Sequence, residues 1–133
     1  MKKTKGNPWL IKLPRLILGI FVVLNIIAML SYPGGTFLDD TTTGYSFTRN
    51  FLSDLGRTLS YAGEVNFLSS QLFNMTLILS GVVFANFYLH VRKIFTADNQ
   101  RTLALIGSFF GVLGGLSLAG WDLHRLISIW TCI

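Results

Sequence analysis

Along this chain the apolar and polar positions separate into long blocks instead of alternating. The first apolar block, LILGIFVVLNIIAMLSY from Leu16 to Tyr32, covers roughly 26 Å as a helix at about 1.5 Å per residue. That is enough to cross a bilayer core of about 30 Å with modest thinning. The second, FLSSQLFNMTLILSGVVFANFYLH (Phe67 to His90), is long enough to span with some tilt. The third is TLALIGSFFGVLGGLSLAGW, Thr102 to Trp121. The residues after it, DLHRLISIWTCI, are too few to cross and read as the start of a fourth helix over about 123–133, cut short within a longer chain. The pattern predicts an all-α polytopic transmembrane helix bundle, three full spans plus the start of a fourth, in one integral membrane domain over 1–133.

Composition strengthens this reading. Half the chain is hydrophobic (51%) and only 13% is charged, against roughly 25% in soluble domains; the mean hydropathy is +0.55. The single cysteine, Cys132, excludes an internal disulfide. The net charge of +5 does not point to nucleic acid, because the cations flank the apolar blocks. Lys2, Lys3, Lys5, Lys12 and Arg15 precede the first block, and Arg92, Lys93 and Arg101 lie between the second and third. Only Arg49, Arg57 and Arg125 fall on the other side. The positive-inside rule then predicts a multi-pass protein of the cell membrane with a cytoplasmic amino terminus. Trp9, Tyr32, Tyr88 and Trp121 stand at span ends, as in an aromatic belt. No small-x-small cleavage pattern follows the first block, so it reads as an uncleaved anchor.

Helices in lipid associate through small residues that let backbones approach. In the third block Gly107, Gly111, Gly115 and Ala119 recur every four residues; in the second, Ser70, Asn74, Gly81 and Ala85 share one face. These stripes are expected to be packing faces, against each other or, for the Gly-rich third span, against a second copy. Asn25, Gln71 and Asn74 are expected to hydrogen-bond across helices.

The most polar stretch is YSFTRNFLSDLGRT, Tyr45 to Thr58, in the loop between the first two blocks. YPGG at Tyr32 to Gly35 stops the first helix. Over Phe47 to Arg57 a wheel of about 100° per residue puts Phe47, Phe51, Leu52 and Leu55 on one side and Arg49, Asn50, Ser53, Asp54 and Arg57 on the other. This predicts a short amphipathic outer-loop helix, N-capped by Ser46, with its Phe/Leu face on the outer leaflet or on the tops of the spans. Arg49, Ser53 and Arg57 would form a ridge able to meet a lipid phosphate, with Asn50 and Asp54 orienting the arginines, or the face would simply be solvated. Asp54 and Arg57 are spaced to pair.

The order YPGG, then NFLSDLG, then a span beginning NFLSSQLFN resembles the multi-pass membrane proteins called domain of unknown function nine-nine-eight. More distantly it resembles the DRAM/Sfk-type membrane family, which also carries a Ser-Asp-x-Gly element in its first outer loop. The matching positions are Asn50, Ser53, Asp54, Leu55 and Gly56, with Pro33 and Gly34 upstream. The resemblance implies a fold of about six spans, of which this chain would be the first two thirds. It also implies an Asp and a His near the outer end of a later helix. Asp122 and His124 are similar to that element, with Trp121 where the family would have proline. It implies no activity.

Residue chemistry favours a non-enzymatic role. The two histidines, His90 and His124, fall on opposite membrane sides, about 30 Å apart, and cannot share a metal. HExxH and CxxC motifs are missing, as is a phosphate-binding glycine loop outside the spans. No ionisable residue lies deep in a block, as a transporter would need. No cofactor or metal is expected. The leading expectation is a membrane protein whose outer-loop polar helix binds lipid headgroups or a partner. The alternative is a membrane enzyme or transporter with an outer-surface site around Asp54, Asp122 and His124.

Overall fold

The structure is a computed structural model that describes residues 8–91 and 98–131, with the side chains at 10, 91, 98, 99, 101 and 118–131 outside that description. Within it the chain is all-helical: α1 (Trp9–Leu30), a single 3-10 turn (Leu52–Gly56), α2 (Phe67–Val91) and α3 (Asp98–Thr131). Two isolated bridges, Gly34 with Thr43 and Leu59 with Val65, pin the long α1–α2 connection. Two helices are long and apolar enough to cross a membrane: Ile11–Leu30 with mean hydropathy 2.3 and Phe67–His90 with 1.7. Only 17% and 33% of these stretches are buried inside the protein. A core helix of a water-soluble domain would be mostly covered, so the sparse burial of these stretches favours membrane association.

α1 begins after Pro8 and ends where the Ser31 hydroxyl and amide both turn back to the Ile27 carbonyl, at 2.9 and 3.0 Å, just before Pro33. It buries a thin stripe, Ile17, Asn25, Ala28 and Tyr32, and leaves Leu16, Leu18, Val22 and Val23 exposed. Asn25 does not reach another helix as expected. Its amide donates to the Phe21 carbonyl one turn back at 2.8 Å, the nearest acceptor on its own helix.

α2 is the central helix and packs on both others. The small-residue stripes meet here. A Cβ at Gly111 would run into the Tyr88 ring, and one at Gly115 would lie 2.6 Å from the Gly81 carbonyl and 3.1 Å from the Ala85 methyl. Gly107 is a correction to the expected stripe: nothing lies within 4 Å of its would-be Cβ, and it faces outward. Within the chain, Gly111 and Gly115 are thus packed against α2.

α3 also departs from expectation. It runs unbroken from Asp98 to Thr131, so the segment read as the start of a fourth helix continues the third. The sequence between Trp121 and Arg125 carries no proline or glycine to break it. Its apolar portion among the described residues, Thr102–Ser117, is shorter than a full crossing.

The α2–α3 contact sets a test. Gly115→Leu should force the helices apart and lower the unfolding midpoint in detergent, at a cost of about 1–3 kcal/mol. Gly107→Leu, with open space around it, should leave the midpoint nearly unchanged.

Candidate functional site

The Tyr45–Thr58 stretch does not form the amphipathic helix that its wheel predicts. Asn50 and Asp54 each fold back on the backbone just before them, and those bonds compete with helix propagation. The Asn50 amide N–H donates to the Ser46 carbonyl (2.8 Å) while the Ser46 N–H donates to Asn50 Oδ1 (2.9 Å). One turn on, the Asp54 N–H donates to the Phe51 carbonyl (3.0 Å) while the Phe51 N–H donates to Asp54 Oδ2 (2.8 Å). Asn50 Nδ2 ties the two turns together by donating to Asp54 Oδ2 (3.3 Å) and to the Gly35 carbonyl (2.9 Å). The result is two reciprocal turns in series, of which only Leu52–Gly56 is helical.

This geometry inverts the expected facing. Asn50 and Asp54 are buried, whereas Phe47 is 77% and Phe51 66% exposed. Leu55 alone of the apolar set points inward. It is fully buried among Ala28 of α1, Tyr32 just beyond that helix and Phe73 of α2. Tyr32, Tyr45 and Phe47 continue outward from this plug as successive edge-to-face rings, 6.0 and 5.5 Å apart. Burial, with the nearby Asp54 charge adding to it, raises the Tyr45 phenol above its ordinary range.

The first turns of α2 hold the 3-10 turn from below. Asn66 Nδ2 donates to the carbonyls of Leu55 and Arg57, both at 2.9 Å, and the Ser69 hydroxyl donates to the Leu55 carbonyl at 3.3 Å. Asn74 Nδ2 reaches the Gly56 carbonyl at 3.5 Å. Asn66, Ser69 and Asn74 are all buried. Asn66 stands directly before α2, and Ser69 and Asn74 lie on its first two turns, so all three donors come from the same end of the helix. From the other side the glycine pair of YPGG admits the crossing backbone. Gly35 has φ +81°, and a Cβ there would strike the Tyr61–Ala62 backbone, while its own N–H donates to the Thr42 carbonyl at 2.7 Å.

The expected ridge of Arg49, Ser53 and Arg57 is dispersed. Arg49 and Ser53 are exposed, and Arg49 helps lower the Asp39 carboxyl, whose main stabilisers are hydrogen bonds from the Thr41 hydroxyl (2.7 Å) and N–H (3.0 Å). Arg57 does not pair with Asp54. Its guanidinium lies 4.1 Å over the Tyr61 ring, with Nε donating to the Leu59 carbonyl (3.3 Å). Asn50 and Asp54 therefore orient backbone, not arginines.

Asp122 and His124 sit on α3, with side chains outside the described residues. The antiparallel register at Gly115 opposite Gly81, continued about 10 Å along both helices, brings the Asp122 backbone to the level of Asn74. His90 stands at the other end of α2, its Nδ1 2.9 Å from the Asn86 carbonyl. Among the described residues no three His, Cys, Asp or Glu side chains gather as metal ligands would. No protein-family model matches the chain, and neither a curated protein nor a solved structure is significantly similar to it.

The chemistry of the cluster is thus self-directed: amides and one carboxyl saturating backbone groups. Asn66→Ala would remove the side-chain donor of the Arg57 carbonyl and leave the Leu55 carbonyl with the Ser69 hydroxyl alone, and should cost about 2 kcal/mol, read as a lower unfolding midpoint and faster proteolysis within 33–66. Ser53→Ala, at an exposed position, should change neither.

Proposed function

We propose that this chain is a non-enzymatic multi-pass membrane protein of the cell membrane, amino terminus inside, whose α1–α2 connection is a rigid crown seated in the outer headgroup layer. In this reading α1, α2 and α3 are successive crossings, and the chain is a relative of the domain of unknown function nine-nine-eight proteins. The observation that carries it is the inverted facing of the crown. The polar side chains that could perform chemistry are turned in to hold backbone, while Phe37, Leu38, Phe47 and Phe51 are turned out.

Exposed side chains of this size are unfavourable in water at about 25 cal/mol per Å². The crown starts at the end of α1 and returns to the start of α2, and its Leu55 packs on Ala28 and Phe73 near those helix ends, which would meet the membrane surface. Apolar side chains there can enter the acyl boundary while Arg49 and Arg57 remain at phosphate depth. Lipid phosphate is the ligand class this fringe suits.

Phe47→Trp, as the sole tryptophan after replacing Trp9, Trp121 and Trp130 with Phe, gives a direct readout in liposomes. Lipids brominated near the headgroup should quench it strongly, and those brominated deep in the chain weakly; absence of quenching by either would sink the proposal. Orientation is checked in whole cells with an impermeant thiol reagent, in a Cys132→Ser background. Thr42→Cys should label and Thr96→Cys should not.

A further inference from the structure

At the end remote from the crown, α1 and α2 enclose a groove. Its walls are Trp9, Leu13 and Pro14 of α1 with Val83 and Phe87 of α2, and Asn86 and His90 bring the polar atoms. Pro14 lies inside α1 and has no N–H, so the Leu10 carbonyl loses its intrahelical donor on the proline side of the helix. The His90 Nδ1 hydrogen is directed to the Asn86 carbonyl, which leaves Nε2 as the ring atom available to a ligand. The Lys12 ammonium stands 5.9 Å over the Trp9 ring, and among the described residues no acidic side chain lines the groove. The sequence adds Arg15 nearby on α1, and Arg92 and Lys93 directly after α2.

Apolar walls with a cationic rim suit an amphiphilic anion. We propose that the groove holds an acyl chain of an anionic phospholipid, with its phosphate at the rim marked by Lys12 and His90. The inference rests on the membrane reading given above but concerns the opposite end of the molecule from the crown. Charge complementarity favours an anionic over a zwitterionic headgroup, since among the described residues no carboxylate lines the groove beside Lys12. The groove makes this more than a diffuse attraction of basic residues to an acidic surface, because filling it should abolish the preference while leaving the cations in place.

The test uses the full chain, delipidated in mild detergent. It is offered equal amounts of phosphatidylglycerol and phosphatidylcholine of matched chains and read by native mass spectrometry. Phosphatidylglycerol should be retained several-fold over phosphatidylcholine, and millimolar inorganic phosphate should not displace it. Val83→Trp, which fills the groove, and the surface pair Lys12→Ala with His90→Ala should each bring retention down to the phosphatidylcholine level. Val22→Trp, on the exposed face of α1, should not. Equal retention of the two lipids, displacement by phosphate, or undiminished retention in both groove variants would overturn the proposal. Carbonate extraction of cell membranes reads the underlying premise separately. A chain released by carbonate defeats membrane residence itself, whereas a chain that stays but shows no lipid preference defeats only the groove.

Discussion

The structure depends on a short ladder of side-chain amides at the start of α2. Asn66 and Asn74, with the Ser69 hydroxyl between them, donate to the carbonyls of Leu55, Gly56 and Arg57. A 3-10 turn leaves its last carbonyls without internal partners. On the surface water would serve them. Here Asp54, Leu55 and Gly56 are buried, so the donors must come from protein. By meeting that demand from Asn66, just before α2, and from Ser69 and Asn74 on its first turns, the chain fixes the height and rotation of the turn. Once the turn is fixed, the Leu55 side chain has one place to go, between Ala28, Tyr32 and Phe73. The α1–α2 spacing at this end follows from the plug.

The same constraint explains why the apolar face of the connection points outward. With Asn50 and Asp54 saturating the backbone at Gly35, Ser46 and Phe51, their neighbours Phe47 and Phe51 are left on the opposite side. A water-soluble loop would be penalised for that arrangement. A segment at a bilayer surface is not, and the sparse burial of α1 and α2 is consistent with the same surroundings.

The helices were legible in the sequence because their apolar blocks are long: Phe67–His90 is recovered at both ends, and the first crossing differs mainly by starting earlier, at Ile11. The Gly111 and Gly115 contact was legible from four-residue spacing. Gly107 continues that spacing but lies off the contact, and a sequence period does not say how far along two helices stay together. The crown was misread for a definite reason. A helical wheel assumes that polar side chains seek solvent, and it has no term for Asn and Asp that bind their own backbone. The signal was present in the Asx-type residues Asn50 and Asp54 flanking a Gly-terminated turn. The Asn66, Ser69 and Asn74 donors were equally visible as polar positions at the start of an otherwise apolar helix, but their target carbonyls cannot be named without coordinates. The expected fourth helix failed more simply, since a drop in hydropathy after Trp121 marks a change of surroundings and not a break in hydrogen bonding.

The two ends of the α1–α2 pair differ because only one has a wedge. At the crown end Leu55 enters from a third segment and fills the space between the helices. At the Trp9 end the pair is lined by Pro14 and Val83, residues that project less than the Tyr32 and Phe73 of the plugged end. A proline ring inside a helix also keeps neighbouring backbone at a distance and frees a carbonyl. Close packing of apolar groups leaves few such spaces unfilled unless something else enters them. In a bilayer the available filler is an acyl chain, and beside Lys12 the favoured chain is one attached to a negative phosphate. The groove is therefore the counterpart of the plug: the same helix pair, closed by its own leucine at one end and left open between Pro14 and Val83 at the other.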